Sequence, residues 1–183
     1  GMTTPVGPPE GITRIAARLG ALAWVSGQLF EIEGRWAASM VEPAAVAHLA
    51  THSRHHGWHA TLWTDALPDS PALRAASLVA APSTAWTAAV AVAAGADEAP
   101  DAAKLAILYR GLVPRTRSLV AQLEDAVQGP GSPQISRVIG LVCPDLSADA
   151  HGGHRLLEAT LGDDETIEMA VSAMKTLDQA FLA

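Results

Sequence analysis

Three features of this 183-residue chain predict an all-α fold. It carries 37 alanines, and alanine has the highest intrinsic helix propensity. No stretch alternates apolar and polar residues over six or more positions, so no half-buried strand is patterned. Prolines and glycines punctuate the chain at intervals, and most prolines fall where a helix would begin, a position at which the missing N–H costs nothing. The chain is 49% hydrophobic, enough to bury one core. A single domain over residues 1–183 is therefore expected, with residues 1–8 extended or disordered.

The first helix should start after Pro8-Pro9 and run to about Met40. Its apolar seam is Ile12, Ile15, Leu19, Leu22, Ser26, Leu29, Glu33, Trp36 and Met40, with spacings that alternate three and four. Glu42-Pro43 opens a second helix, ending at Leu67-Pro68. The turn between them is so short that the two must be antiparallel neighbours. Ser70-Pro71 opens a weaker helical segment that Pro82 interrupts, and Ser83 can cap its continuation to Ala94-Gly95. Rich in small residues, this stretch reads as a crossover. Pro100-Asp101 opens a long helix to Val127, with Leu105, Leu108, Leu112, Leu119 and Leu123 inward and a kink expected at Pro114. Gly129-Pro130-Gly131 is a break. Ser132-Pro133 opens the fourth long helix, which Pro144 should kink and Gly152-Gly153 should weaken. Gly162-Asp163-Asp164 stops it and caps a last helix, Glu165 to Phe181, with Ile167, Ala170, Val171, Met174 and Leu177 inward. The sum is four long helices, one long connection between the second and third, and an extra helix at the C-terminal end.

Composition narrows the partners. Twelve Lys plus Arg face 19 Asp plus Glu, the formal charge is −7 and no basic run occurs, so neither nucleic acid nor an anionic membrane surface is expected as a partner. No run of 18 apolar residues is present, so no membrane span is expected. Cys143 is the only cysteine, which excludes an intrachain disulfide, and Gly1-Met2-Thr3-Thr4-Pro5 lacks the charged and apolar regions of a secretory signal. A cytoplasmic location is the expectation. The motifs GxGxxG, Walker A, HExxH, CxxC and GxSxG are all missing, so no dinucleotide cofactor or serine triad is indicated, and no catalytic residue is assigned.

Chemistry concentrates in the second helix. Five of the seven histidines fall within twelve residues: His48, His52, His55, His56 and His59. Spacings of three and four put His52, His56 and His59 on one face with Leu49 and Trp63, and His52, His55 and His59 on the adjoining seam with Leu62. Imidazoles on successive turns can chelate one metal ion, and buried imidazoles need a metal, a carboxylate or a carbonyl as partner. Glu33 is a carboxylate in the apolar seam of the first helix. It lies about eight residues before the turn and His52 about eleven after it, so the two sit at similar heights along the hairpin. The candidate metal ligands are thus Glu33, His52, His55, His56 and His59, with Asp145, Asp149, His151 and His154 of the fourth long helix as further donors. A hydrogen-bonded polar seam without metal, or a partly solvated face, is the competing reading. Glu31 is off the seam and should be solvated. The five tryptophans, Trp24, Trp36, Trp58, Trp63 and Trp86, read as core, and Cys143 as inert packing.

The segment His52-Ser-Arg-His55-His56-Gly-Trp58-His59-Ala-Thr-Leu-Trp63, preceded by a helix carrying Glu33 and followed by Leu67-Pro68, resembles the ferritin-like superfamily of helical bundles, in particular a bacterial branch with a HARHHAWHAxLW-type helix. The resemblance covers roughly residues 10–160. It implies a four-helix bundle with a long second-to-third connection. The di-metal chemistry of that superfamily uses a Glu from each of two helices and Glu-x-x-His from each of the other two. Here no glutamate has a histidine three residues later, His52 and His56 stand where glutamates would precede His55 and His59, and the helix from residue 101 has no mid-helix carboxylate. The resemblance therefore implies a degenerate site on a binding or interaction protein. Two alternatives use the same histidines. One is a metal-dependent oxidoreductase holding iron, zinc or another divalent ion through Glu33, His52, His56 or His59. The other is similar to the DinB-type bundle, with His55 and His59 joined by His151 or His154. A homodimer is expected through the last helix and residues 83–95. No particular small-molecule ligand is indicated.

Overall fold

A computed structural model describes residues 10–127 and 133–183. The expected extended segment 1–8, the Gly129-Pro130-Gly131 break and Ser132 lie outside the described residues. Within them every regular element is helical: α1 (Glu10–Ala37), α2 (Pro43–Asp65), α3 (Ala75–Leu78), α4 (Thr84–Ala94), α5 (Asp101–Ala106), a π-helical turn (Ile107–Leu112), α6 (Val113–Ala126), α7 (Pro133–Thr160) and α8 (Asp164–Leu182). No helix among the described residues is long and apolar enough to cross a membrane.

The α1 seam is buried where its spacing placed it. Leu19, Leu22, Ser26, Leu29, Glu33 and Trp36 are each at most 2% exposed, whereas Ile12 is 47% exposed, so the buried stripe begins a turn and a half later than expected. Glu42 accepts from the Ala44 N–H and Pro43 occupies the first turn of α2, which fixes where that helix begins. The intervening turn is held from outside: the Asp101 carboxylate accepts from the Val41 and Glu42 N–H groups at 3.2 and 3.0 Å. α1 and α2 run antiparallel in close contact. The Ser53 hydroxyl donates to the Phe30 carbonyl at 2.8 Å, and Gly57 lies where a Cβ would come within 2.9 Å of the Phe30 ring.

The crossover is less helical than expected. Only Ala75–Leu78 forms a turn of helix before Pro82, and its Leu78 carbonyl sits against Gly20 of α1. Ser83 then caps α4, its hydroxyl accepting from the Trp86 N–H at 3.3 Å. α4 lies on α8. The helix from Asp101 is not broken by Pro114. Instead the preceding turn widens, and the Val113 N–H reaches back five residues to the Leu108 carbonyl. Proline removes an N–H and its ring crowds the carbonyl four residues earlier, and a wider turn accommodates both.

α1 is flanked by α2 and α6, and α7 by the same two helices, so four long helical stretches enclose the interior. Arg18–Gln122 and Ser39–Lys104 pair α1 antiparallel to the α5–α6 stretch, and His55–Asp149 and His59–Asp145 pair α2 antiparallel to α7. α7 runs unbroken through Pro144 and Gly152-Gly153. α8 begins at a capping box between Asp163 and Thr166 and packs outside the four, against α4, α5 and the π turn. Its contact stripe is narrow: Ala170 and Leu177 are buried, but Ile167 and Val171, expected inward, are 43% and 62% exposed because they flank that stripe. Trp58 is likewise not core but 46% exposed, on the face of α2 that meets neither α1 nor α7.

The interior divides into two apolar clusters. One includes Leu29, Trp36, Leu49, Leu105 and Leu108; the other includes Leu19, Leu22, Trp63, Leu123 and Val142. Along α2, Leu49 belongs to the first and Trp63 to the second, and His52, His56 and His59 lie between them.

Candidate metal centre

A polar layer is built from the α1 seam and the inward face of α2: its histidines lie between the two clusters, and Glu33 sits at the edge of the first, flanked by Ile32 and Trp36. Glu33, His52, His56 and His59 are all 0% exposed. Glu33 is central: its Oε2 lies 3.1 Å from His52 Nδ1 and its Oε1 3.2 Å from His56 Nε2. One donor atom from each of Glu33, His52 and His56 falls within 4.8 Å of the others. The helix turn explains this convergence. Residues four apart on α2 project their rings from successive turns, and the His52 and His56 centroids are 4.4 Å apart on either side of the carboxylate.

These approaches are close, but they do not satisfy the groups. Both Glu33 oxygens, His52 Nε2 and both His56 nitrogens are buried without a hydrogen-bond partner. A buried carboxylate left unpaired costs several kcal/mol, so a polar seam closed on itself would be expected to align these atoms as donors and acceptors. Instead one atom of each residue, with His52 Nδ1 and His56 Nε2 nearest the Glu33 oxygens, gathers in one place. For a tetrahedral ion with bonds of about 2.1 Å, ligand atoms lie roughly 3.4 Å apart, close to the 3.1 and 3.2 Å separations here. The donor set, one carboxylate and two imidazoles without thiolate, suits zinc and ferrous iron.

Electrostatics agree with that reading. Burial pushes the Glu33 carboxyl well above its usual range, and the negative Asp149 adds to the effect. Burial also holds His52 and His56 well below the ordinary histidine value, reinforced by neighbouring imidazoles. Without a cation the layer is driven to neutrality, whereas a bound cation would reverse the preference of Glu33 alone and would keep His52 and His56 in the neutral form that can ligate it.

A second tier lies on the α2–α7 side. His55 Nδ1 is 2.6 Å from Asp149 Oδ2, His59 Nε2 is 2.9 Å from Asp145 Oδ2, and His48 Nε2 is 3.1 Å from the Asp149 carbonyl. Of the five histidine and glutamate ligands expected, the structure brings Glu33, His52 and His56 together, and it faces His55 and His59 toward aspartates of α7. His151 is exposed, and His154 lies beside the Tyr109 ring at 6.4 Å, so neither joins His55 and His59. Glu31 is exposed, as expected.

Tyr109 is the contributor that sequence reasoning missed. It is wholly buried, its hydroxyl is 2.8 Å from His52 Nδ1, and the π turn carries it. A Cβ at Gly153 would overlap its ring, so Gly153 is where the α7 backbone makes room for it, while the neighbouring Gly152 makes room for the His48 ring. The available signal was slender: Tyr109 is the only tyrosine of the chain and interrupts an apolar run shortly before Pro114. Comparison with protein-family models, with curated proteins and with solved structures gives no match.

Proposed function

We propose that this chain binds one divalent transition-metal ion through Glu33, His52 and His56, inside a bundle of ferritin-like arrangement whose two-metal site is reduced to a single closed position. One observation carries the proposal: one donor atom from each of Glu33, His52 and His56 lies within 4.8 Å of the others, and both Glu33 oxygens and His56 Nε2 are buried there without a hydrogen-bond partner. A ferritin-like arrangement is supported by the single long connection between α2 and α5 and by the antiparallel pairing of neighbouring long helices. The site is wholly buried, which favours a binding or structural role for the ion over turnover of a substrate.

Each residue then has a definite task. Glu33 supplies the only anionic oxygens at the centre and loses its proton as the ion arrives. His56 offers Nε2 and His52 offers Nδ1, in neutral form, since an imidazolium cannot ligate. The Tyr109 hydroxyl lies 2.8 Å from His52 Nδ1, the nitrogen that would ligate the ion, so it would have to give up that contact for the ion to bind there. Two apolar clusters close the layer on either side and keep water from competing for the donors. A metal-dependent oxidoreductase is the second reading, favoured by the ligand count, because three protein ligands leave a coordination position open.

Elemental analysis of untagged protein reconstituted with zinc or ferrous iron should find one ion per chain. Replacing His52 and His56 together by alanine should reduce that to none while circular dichroism still shows a helical protein. A wild-type protein that holds no metal after reconstitution would sink the proposal.

A further inference from the structure

An ion at Glu33 has to arrive there, and the three ligands are sealed. Toward α1 the closure is Leu29, Ile32 and Trp36, each at most 1% exposed, and toward the π turn it is the buried Tyr109 ring against Gly153. Moving a divalent ion through such walls without ligands would be prohibitive. The side facing α7 is different. There side-chain exposure falls in steps, from 33% at His55 and 26% at Asp145 to 7% at Asp149 and 0% at His52. The donor atoms are continuous along the same steps: His55 Nδ1 lies 2.6 Å from Asp149 Oδ2, which lies 3.6 Å from His52 Nε2. His59 Nε2 meets Asp145 Oδ2 at 2.9 Å beside them.

We propose that Asp149, His55, Asp145 and His59 form an outer cation station through which a divalent ion enters and leaves the buried trio. The inference rests on the metal-binding reading above and adds a kinetic role for residues that the trio does not use. Two observations mark the station as a ligand site: the stepwise exposure just described, and His52 Nε2, a wholly buried nitrogen 3.6 Å from Asp149 Oδ2 without a hydrogen-bond partner. Carboxylate oxygens and imidazole nitrogens are also donors that divalent ions accept while exchanging ligands one at a time. The ion is held first by groups that still touch water, then by Asp149, and the His55–Asp149 contact opens to admit it.

The test uses the full chain, stripped of metal, with zinc as the probe. Stopped-flow uptake is followed against a zinc indicator, release is followed into excess chelator, and the bound ion is counted at equilibrium. Asp149→Asn and His55→Ala should each slow uptake and release by about tenfold or more, since an ion–ligand contact on the path is left unmade. In His55→Ala both rates should fall by the same factor, leaving affinity and the count of one ion per chain unchanged; in Asp149→Asn the slowing should come with weaker affinity, because a negative charge beside the trio is removed. His55 is a third exposed, so its alanine variant should fold even if Asp149→Asn does not. Variants that load and release at wild-type rates, or that lose affinity without slowing, overturn the station while leaving the trio in place. A wild-type chain that takes up no zinc overturns both.

Discussion

Glu33 decides between a metal centre and a neutral polar seam, because its proton makes opposite contributions in the two cases. Burial raises the folded-state pKa of this carboxyl. In the metal-free protein the folded state therefore holds a proton that the unfolded chain releases above about pH 4.3. The stability this group contributes is present below that value and is lost as pH rises through the folded pKa. Glu33→Gln removes the titration while keeping the shape and adding an amide that can donate to His56 or His52. With chelator present at pH 8, the Gln variant should resist urea better than wild type, and the gap should close toward pH 4. With zinc present the order should reverse, because the variant has lost its anionic ligand. The same order with and without zinc would mean that Glu33 binds no ion.

At the scale of elements, the helices were legible wherever a residue acts on its own backbone. Pro43, Ser83 and Asp163 stand at the starts of α2, α4 and α8 because a missing N–H or a side-chain acceptor suits those positions whatever surrounds them. The pairing of Glu33 with His52 was legible for a related reason: a five-residue turn leaves little freedom in register, and counting turns on either side suffices. What escaped depends on contacts between distant elements. The π turn results from accommodating Pro114, and it aims Tyr109 into the layer. The division of the histidines into those beside Glu33 and those beside the α7 aspartates follows from how α7 is set against α2, a register that no residue spacing within either helix encodes. The burial of α8 was overestimated because only Ala170 and Leu177 are fully buried, with Ala173, Met174, Ala180 and Phe181 half-buried beside them and Ile167 and Val171 outside the contact face. Glycines in α7 test this account. Gly153→Ala should cost about 1–3 kcal/mol by overpacking against the Tyr109 ring. Gly140→Ala, with nothing near the new Cβ, should stabilise by about 0.5–1 kcal/mol through helix propensity. Equal effects at both positions in urea titrations would refute the seating of Tyr109 by Gly153.

For the whole molecule, the polar layer ties elements together, drawing side chains from α1, α2, the π turn and α7. An ion held there reports on the entire fold, since unfolding any of these elements releases it. Ligand binding to the native state alone adds about 4 kcal/mol at a free concentration a thousandfold above the dissociation constant. That contribution has a predictable pH dependence. His52 and His56 have folded-state pKa values lowered by burial, and burial lowers those of His48, His59 and His154 in the same direction. Their neutral forms stabilise the fold fully above about pH 6.5, and that stability is lost as pH falls through this value, because the unfolded chain then binds protons that the folded chain refuses. Metal-free Glu33→Gln protein, in which the opposing carboxyl titration is absent, should therefore hold its stability from pH 7.5 to about pH 6.5 and weaken from there to pH 5. Zinc-loaded wild-type protein should weaken more steeply over the same window, since protons compete with the ion for His52 and His56. The zinc-induced rise in melting temperature should be large at pH 7.5 and nearly gone at pH 5. If it persists undiminished at pH 5, the ion is held by carboxylates elsewhere, and the imidazole layer is not its site.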